Sequence, residues 1–384
     1  MKRSSEKILT THVGSLAHPP HLHEMLRARD LGEPFDAEAL DAAVQRAVVD
    51  IVKHQTDVGI TVVNDGEQGK LGYAAYVRYR LNGFERDETL TSPRGGLEAR
   101  QFPEFFAGRP PGGTGSEGLA ACTGPLSWKD FSEVENDIAN LKAAVMHAHP
   151  EDVFMTSASP GVISSFSPNR YYPSEEAYLY AIADVMKREY QAIVEAGFTI
   201  QLDCPELAMD RDRRFSDLSL KEFRKIVALH VEVLNYALAG FSPEQLRMHM
   251  CWGRPERPHN TDVPLRDIAD LLVKARPSGL CVTGANGRHE HEWKVWKDVK
   301  LPEGKVLIPG VIDNTTNIIE HPETVADRIL RYASVVGREN VIAGVDCGFS
   351  TSPKGADVNP KVAWAKLASL AEGAALATRE LWGR

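Results

Sequence analysis

Cysteine is scarce in this chain: five residues in 384 (Cys122, Cys204, Cys251, Cys281 and Cys347), an odd number. A disulfide-framed scaffold is therefore not expected, whereas free thiols or metal ligands in a reducing cytoplasm are. Long apolar runs are missing too. Nothing approaches the roughly 18 consecutive apolar residues of a membrane helix, and the KRSSEK start has no apolar core of a signal peptide. A cytoplasmic protein without a membrane span is the expectation. No basic stretch offsets the net charge of −9, which argues against nucleic acid as a partner. Repeats of fixed period and low-complexity tracts are also absent.

What is present is an ordinary globular balance of 43% hydrophobic and 25% charged residues, enough to bury a large core. Eight short apolar runs recur, each ending in small or polar residues: 7–15, 59–67, 152–160, 198–205, 246–253, 279–286, 305–313 and 340–348. Between them, stretches such as 36–59, 173–197 and 321–337 carry apolar residues at helical spacing and end near glycine. Eight strands alternating with helices predict a parallel sheet closed as a (β/α)8 TIM barrel. An open doubly wound sheet is the alternative, but no Gly-rich dinucleotide loop follows the first strand. From about residue 70 to 150 the rhythm breaks into a Gly/Pro-rich segment. We read it as an extended βα insertion, a hairpin over the barrel mouth.

In such a barrel, function gathers at the C-terminal ends of the strands. Those ends supply Ser15, Asp65, Glu67, Asp203, Cys204, His249, Cys251, Asn286, Asp313, Asp346 and Cys347. In MHMCWG (248–253), His249 and Cys251 stand two apart, so in a strand both look to one face while Met248 and Met250 look to the other. With Cys347 they offer one imidazole and two thiolates, ligand types that zinc prefers. Buried thiols and a satisfied core histidine fit the same spacing, so the residues alone leave both readings open.

The motifs TTHVGSL, NDGEQGK, QLDCPELA, HMCWG, NGRHEHEW, PGVID and DCGFST follow one another across nearly the whole chain. In them the sequence resembles the C-terminal catalytic barrel of cobalamin-independent methionine synthase, and more closely the family's single-barrel relatives. The resemblance implies that residues 1–384 form one catalytic barrel. It implies a Zn2+ held by His249, Cys251 and Cys347, which binds the homocysteine thiol as a thiolate and presents it to a methyl donor. Ser15 and Glu67 match residues that hold the amino-acid substrate, and Asp203 matches the carboxylate that receives its amino group. Glu67 and Asp203 are thus the expected catalytic carboxylates, and Asn286 an expected substrate contact. From the residues alone, Ser15 also suits a turn, and Glu67 and Asp203 suit structural ion pairs. The chemistry is coherent: the thiolate is the nucleophile, metal binding removes the thiol proton, and three protein ligands leave zinc one open position.

Three positions depart from the family's pattern. Thr283 stands where a further zinc ligand, a glutamate, is expected, so either a water or the substrate fills the position or Glu290, Glu292 or His289 substitutes. Asn314-Thr315-Thr316 replaces a histidine assigned to proton delivery, and SASPGVISSF lacks the tryptophan that stacks on the folate donor. The thiol half of the site is kept and the folate half eroded, which leaves the alkyl donor open. A sister enzyme, epoxyalkane:coenzyme M transferase, uses a similar ligand set on a sulfonate-bearing thiol. For that reading Lys70, Arg78, Arg80 and Arg288 are the candidate cations, whereas Glu67 and Asp203 would repel a sulfonate. A non-catalytic thiol-binding barrel is a third reading. Nothing in the pattern specifies an oligomer. RHEHEW (288–293) reads either as a second metal site or as a solvated helix start.

Overall fold

A computed structural model of the chain describes residues 1–87, 89–90, 96–107, 120–253, 256–350 and 358–383. Its strands are β1 (Leu9–Thr10), β2 (Val62–Val63), β3 (Leu81–Arg86), β4 (Ala120–Trp128), β5 (Asp152–Ala158), β6 (Thr199–Asp203), β7 (Leu246–Met250), β8 (Gly279–Val282), β9 (Val306–Ile312) and β10 (Ile342–Val345). Each of the eight expected runs contains one strand. Those eight pair in parallel in the order β1-β10-β9-β8-β7-β6-β5-β2, and a parallel bridge between Thr11 and Val62 closes the ring. This is the (β/α)8 barrel that the alternation predicts.

The helices form where the apolar spacing places them. Ala37–Asp57 starts at Asp36, whose carboxylate accepts from Ala39 N at 3.0 Å. Glu175–Glu195 starts at Ser174, which accepts from Ala177 N at 3.1 Å. Each cap satisfies a backbone donor that the first turn leaves unpaired. Pro322–Val336 ends at Gly337, whose positive φ of 87° suits glycine.

Two hydrophobic cores result from the period-two alternation of the strands. Ile200, Leu202, Met248, Met250, Leu280 and Val282 face outward into the layer between sheet and helices. Inside the ring, Leu9, Val62, Phe154, Cys281, Val306, Ile308 and Ile342 form a smaller plug. Arg247 reaches into that plug and lies over the Phe154 ring at 4.0 Å. Each large apolar side chain so buried contributes about 1.5–3 kcal/mol. The plug closes the inside of the barrel below the strand ends, which leaves the polar residues above it to line a site.

The insertion contains the antiparallel hairpin β3–β4. The described strands are fastened to the barrel's flank, through Cys122 N to Pro168 O (2.9 Å) and Trp128 Nε1 to Val185 O (2.8 Å). The segment Leu97–Gln101 docks where Asp212 accepts from Leu97 N at 2.9 Å, and Glu98 pairs with Arg257 at 2.7 Å. Of the segment expected as a cover, from about 70 to 150, residues 88, 91–95 and 108–119 lie outside the described residues. Among the described residues, no helix is long and apolar enough to cross a membrane.

Candidate metal and thiol site

Strand register assembles the centre of the site. Asp203, His249 and Cys281 sit side by side on β6, β7 and β8. Their side chains point inward, and two residues further along the same inward rows come Cys251 and Thr283. Cys347 enters from the end of β10. Its Sγ lies 3.9 Å from Cys251 Sγ, far beyond a disulfide bond but close to the ~3.8 Å between two thiolates on a tetrahedral zinc with Zn–S about 2.3 Å. The ligand atoms of His249, Cys251 and Cys347 all lie within 4.8 Å of one another, and all three residues are buried.

The donor set is the kind that a cation satisfies. Both ring nitrogens of His249 are buried without a hydrogen-bond partner, a costly arrangement unless something fills it. The thiol pair is electrostatically unequal. Its contact with Cys347, with burial, drives Cys251 well above the usual thiol range. Contact with Cys251 and with the His249 imidazole holds Cys347 well below it, against burial. These residues fit a metal ion.

Next to the thiols stand the two carboxyls read from the sequence. Glu67 sits in a turn built by consecutive left-handed residues, Gly66 at φ 64° and Glu67 at φ 58°. Asn64 and Asp65 stabilise the turn by accepting from Gly66 N and Glu67 N at 2.9 and 3.0 Å. A non-glycine residue held there marks a position over-determined by its surroundings. Burial pushes the Glu67 carboxyl up to about 7, opposed by Lys70 and helped by Asp65. Burial and the facing Glu67 raise Asp203 well above the usual carboxylate range, although Gln201 Nε2 donates to it at 2.8 Å. Two close acids form a natural receptor for an ammonium group.

Ser15 and Asn286 occupy different places. Ser15 pins the segment after Cys347, accepting from Phe349 N through its carbonyl (3.0 Å) and from Ser350 N through Oγ (3.3 Å). Asn286 lines a small pocket beside Cys347, together with Trp252, His259, Thr283, His289 and Asn314.

None of the three candidate substitutes for the missing glutamate is free to serve. Glu290 pairs with Arg328 and Arg331 at 3.3 and 3.2 Å. Glu292 accepts from Leu265 N at 2.7 Å and from His289 at 3.0 Å. His289 bonds Glu292 through one ring nitrogen and Asp262 through the other, at 3.0 Å each, and stacks on Trp252 at 3.8 Å. Its segment does open a helical turn, Glu290–Lys294, with Arg288 and His291 exposed, but His289 and Glu292 are buried. Thr283 itself spends its hydroxyl on Asp346 O at 3.4 Å. Of the candidate cations, Arg80 is tied to Asp137 (2.7 Å) and Glu133 (3.1 Å), and Lys70 donates to Thr156 O at 2.7 Å.

Two features escaped the sequence reading. Asp346 was visible as a polar strand end, but its three backbone donors, Gly284, Ala285 and Asn286, were not. His259 and Asp262 were missed altogether. Their only signal is the His-x-x-Asp spacing of PHNTD (258–262) in the loop after β7.

No family model matches the chain. Proteins named methionine synthase do: one from Thermococcus kodakarensis is 22% identical over 97% of this chain and 94% of its own length. One from Saccharolobus islandicus is 24% identical over 97% of this chain and 95% of its own. Among solved structures, a B12-independent methionine synthase from a Shewanella species, in complex with selenomethionine, superposes with a TM-score of 0.74. That likeness covers 98% of this chain and 100% of that one at 21% identity, and it carries the fold. Over nearly its whole length the chain is thus similar to proteins named methionine synthase, and it shares the barrel fold of a solved B12-independent one.

Proposed function

We propose that the barrel is a zinc-dependent transferase that moves a methyl or other alkyl group onto the thiol of homocysteine. The observation that carries this reading is the convergence of His249, Cys251 and Cys347 beside the paired acids Glu67 and Asp203. The three ligands would hold zinc. When bound, zinc supplies the positive charge that keeps a substrate thiol deprotonated at neutral pH. Glu67 and Asp203 receive the amino group of the substrate and so orient its sulfur, a gain in positioning that need not be made again at the moment of reaction. Ser15 holds the segment after Cys347 in place around the substrate, and Asn286 contacts it from the cavity side. The whole of residues 1–384 acts as this one catalytic unit, in the cytoplasm. Homologues named methionine synthase support the choice of acceptor. The two acids argue against a sulfonate-bearing thiol, and Arg80 is already committed to acids of its own.

The test is metal analysis of protein purified without chelator, followed by titration with homocysteine and with coenzyme M while proton release is recorded. About one zinc per chain and proton release with homocysteine alone is the expected result. Absence of zinc, or release with coenzyme M instead, overturns the reading.

A further inference from the structure

Thiolate attack on an alkyl donor has a second requirement that the thiol site leaves unmet. The S–C bond forms as the bond from carbon to the donor's nitrogen or oxygen breaks. The electron pair of that bond stays on the leaving atom. An amine anion or an alkoxide leaves poorly unless a proton reaches it as the bond breaks.

The cavity beside Cys347 has few groups able to deliver one. Asn286, Asn314 and Thr315 do not act as acids at neutral pH. Asp346 is occupied by three backbone donors. His289 spends both nitrogens on Asp262 and Glu292. His259 differs from all of these. Its Nδ1 lies 2.6 Å from Asp262 Oδ2, while its Nε2 is buried with no hydrogen-bond partner. The ring lines the same cavity as Cys347 and Thr283, and the residue is only 4% exposed. Its backbone sits at φ 57°, an uncommon conformation for a side-chain-bearing residue and one found at functional sites.

Asp262 is itself over-supported. Arg257 donates to its other oxygen at 2.6 Å, and His289 bonds the oxygen shared with His259 at 3.0 Å. Against burial, the hydrogen bonds from His259 and His289 hold this carboxylate well below its usual range. Arg257 also reaches Glu98 of the insertion. Arg257 and His289 thus reach the His259 ring through one fixed carboxylate, while Asp346 and Cys347 line the same cavity. The bond to that carboxylate orients the ring and leaves Nε2 as its unpartnered nitrogen. By proximity alone, His259, Asp262 and His289 would also suit a metal ion. The hydrogen bonds account for Asp262 and His289 without an ion and leave only His259 Nε2 over.

Resting on the transferase reading above, we propose that His259, oriented by Asp262, is the general acid that protonates the leaving nitrogen or oxygen of the alkyl donor. In the step Nε2–H gives its proton to the leaving atom as the electron pair arrives there. The ring is left neutral, and a proton from water restores it.

The test compares donors whose leaving atoms differ in their need for a proton. The variant is His259→Gly, since glycine adopts the positive φ without strain. Homocysteine is alkylated with epoxypropane and 5-methyltetrahydrofolate, which leave oxygen or nitrogen, and with methyl iodide, whose leaving group needs no proton. The expected result is a loss of about 100-fold or more with the proton-requiring donors, near-normal rates with methyl iodide, and partial rescue of the former by added imidazole. Zinc content and calorimetric homocysteine affinity should match the parent protein. In the metal-free parent, histidine 15N spectra should show Nδ1 protonated and Nε2 gaining a proton as pH falls. An equal loss with all donors, no loss with any, or an Nε2 that never protonates between pH 5 and 9 overturns the assignment. So does a parent protein that uses methyl iodide but neither proton-requiring donor. A parent that alkylates homocysteine with no donor at all instead overturns the transferase reading beneath it.

Discussion

Asp346 accepts a 2.6 Å hydrogen bond from the backbone N–H of Asn286, and its other oxygen takes those of Gly284 and Ala285 at 2.7 and 2.9 Å. The strand end that carries Cys347 is thereby fastened to the loop after β8. An asparagine amide in this place would offer one acceptor oxygen where two are used and turn an N–H toward another N–H. Asp346→Asn should therefore cost about 2–4 kcal/mol, read as a lowered urea midpoint with unchanged m-value. A midpoint within error of the parent protein would show that these bonds are not holding the loop.

Metal removal should be visible as stability. A ligand that binds only the folded state adds to stability by mass action, and here it would also satisfy the buried nitrogens of His249. Chelation should lower the melting temperature by several degrees, and added zinc should restore it. Cys347→Ser should abolish the zinc-dependent shift, because one of the two thiolates is gone. Equal zinc content in that variant would remove Cys347 from the ligand set.

Gly14 is held at φ 152°, and a methyl group there would come within 2.5 Å of Glu67 Oε1 and 2.7 Å of Thr156 Cγ2. Gly14→Ala should push the Glu67 carboxyl off its position. Homocysteine affinity should fall about tenfold or more, the ~1.4 kcal/mol that a weakened charged hydrogen bond represents. Binding calorimetry reads this directly, with zinc content as the control for folding.

The pH dependence of homocysteine binding follows from Glu67. Its carboxyl is pushed up to about 7 by burial, so near neutrality it is partly protonated. An arriving ammonium favours the charged form, lowers that pKa and expels the proton. Affinity should thus weaken as pH falls below about 7, by up to tenfold per unit for one released proton. Glu67→Gln should remove that proton and flatten the slope by one. A slope unchanged in the variant would assign the proton elsewhere.

Thr283 faces inward two residues beyond Cys281 and lines the cavity with Cys347. Thr283→Glu should bring a carboxylate to the metal and slow zinc loss to a competing chelator by about tenfold or more. It should do so while crowding the open position, so homocysteine should bind less tightly than in the parent. Unaltered zinc retention would mean that the inward row does not reach the ion.

Local chemistry was enough to determine much of this protein. Period-two alternation put His249 and Cys251 on one face and Met248 and Met250 on the other, and helical spacing between glycines marked the helices at 36–59 and 173–197. Both signals come from neighbours a few residues apart, which is what a sequence displays directly. Eight such units suit a closed parallel sheet, and the bridge between Thr11 and Val62 closes it. Only the tertiary structure could decide the rest, because it depends on side chains brought together from distant segments. The 3.9 Å between Cys251 and Cys347 joins residues 96 apart. The commitment of Glu292 to Leu265 and of His289 to Asp262 withdrew two imagined zinc ligands. The same closure left His259 Nε2 buried without a partner, in a residue that lines the cavity. A hydrogen-bond inventory is a property of the folded neighbourhood. The spacing of PHNTD names the pair His259 and Asp262, but only packing says which nitrogen of that imidazole is free.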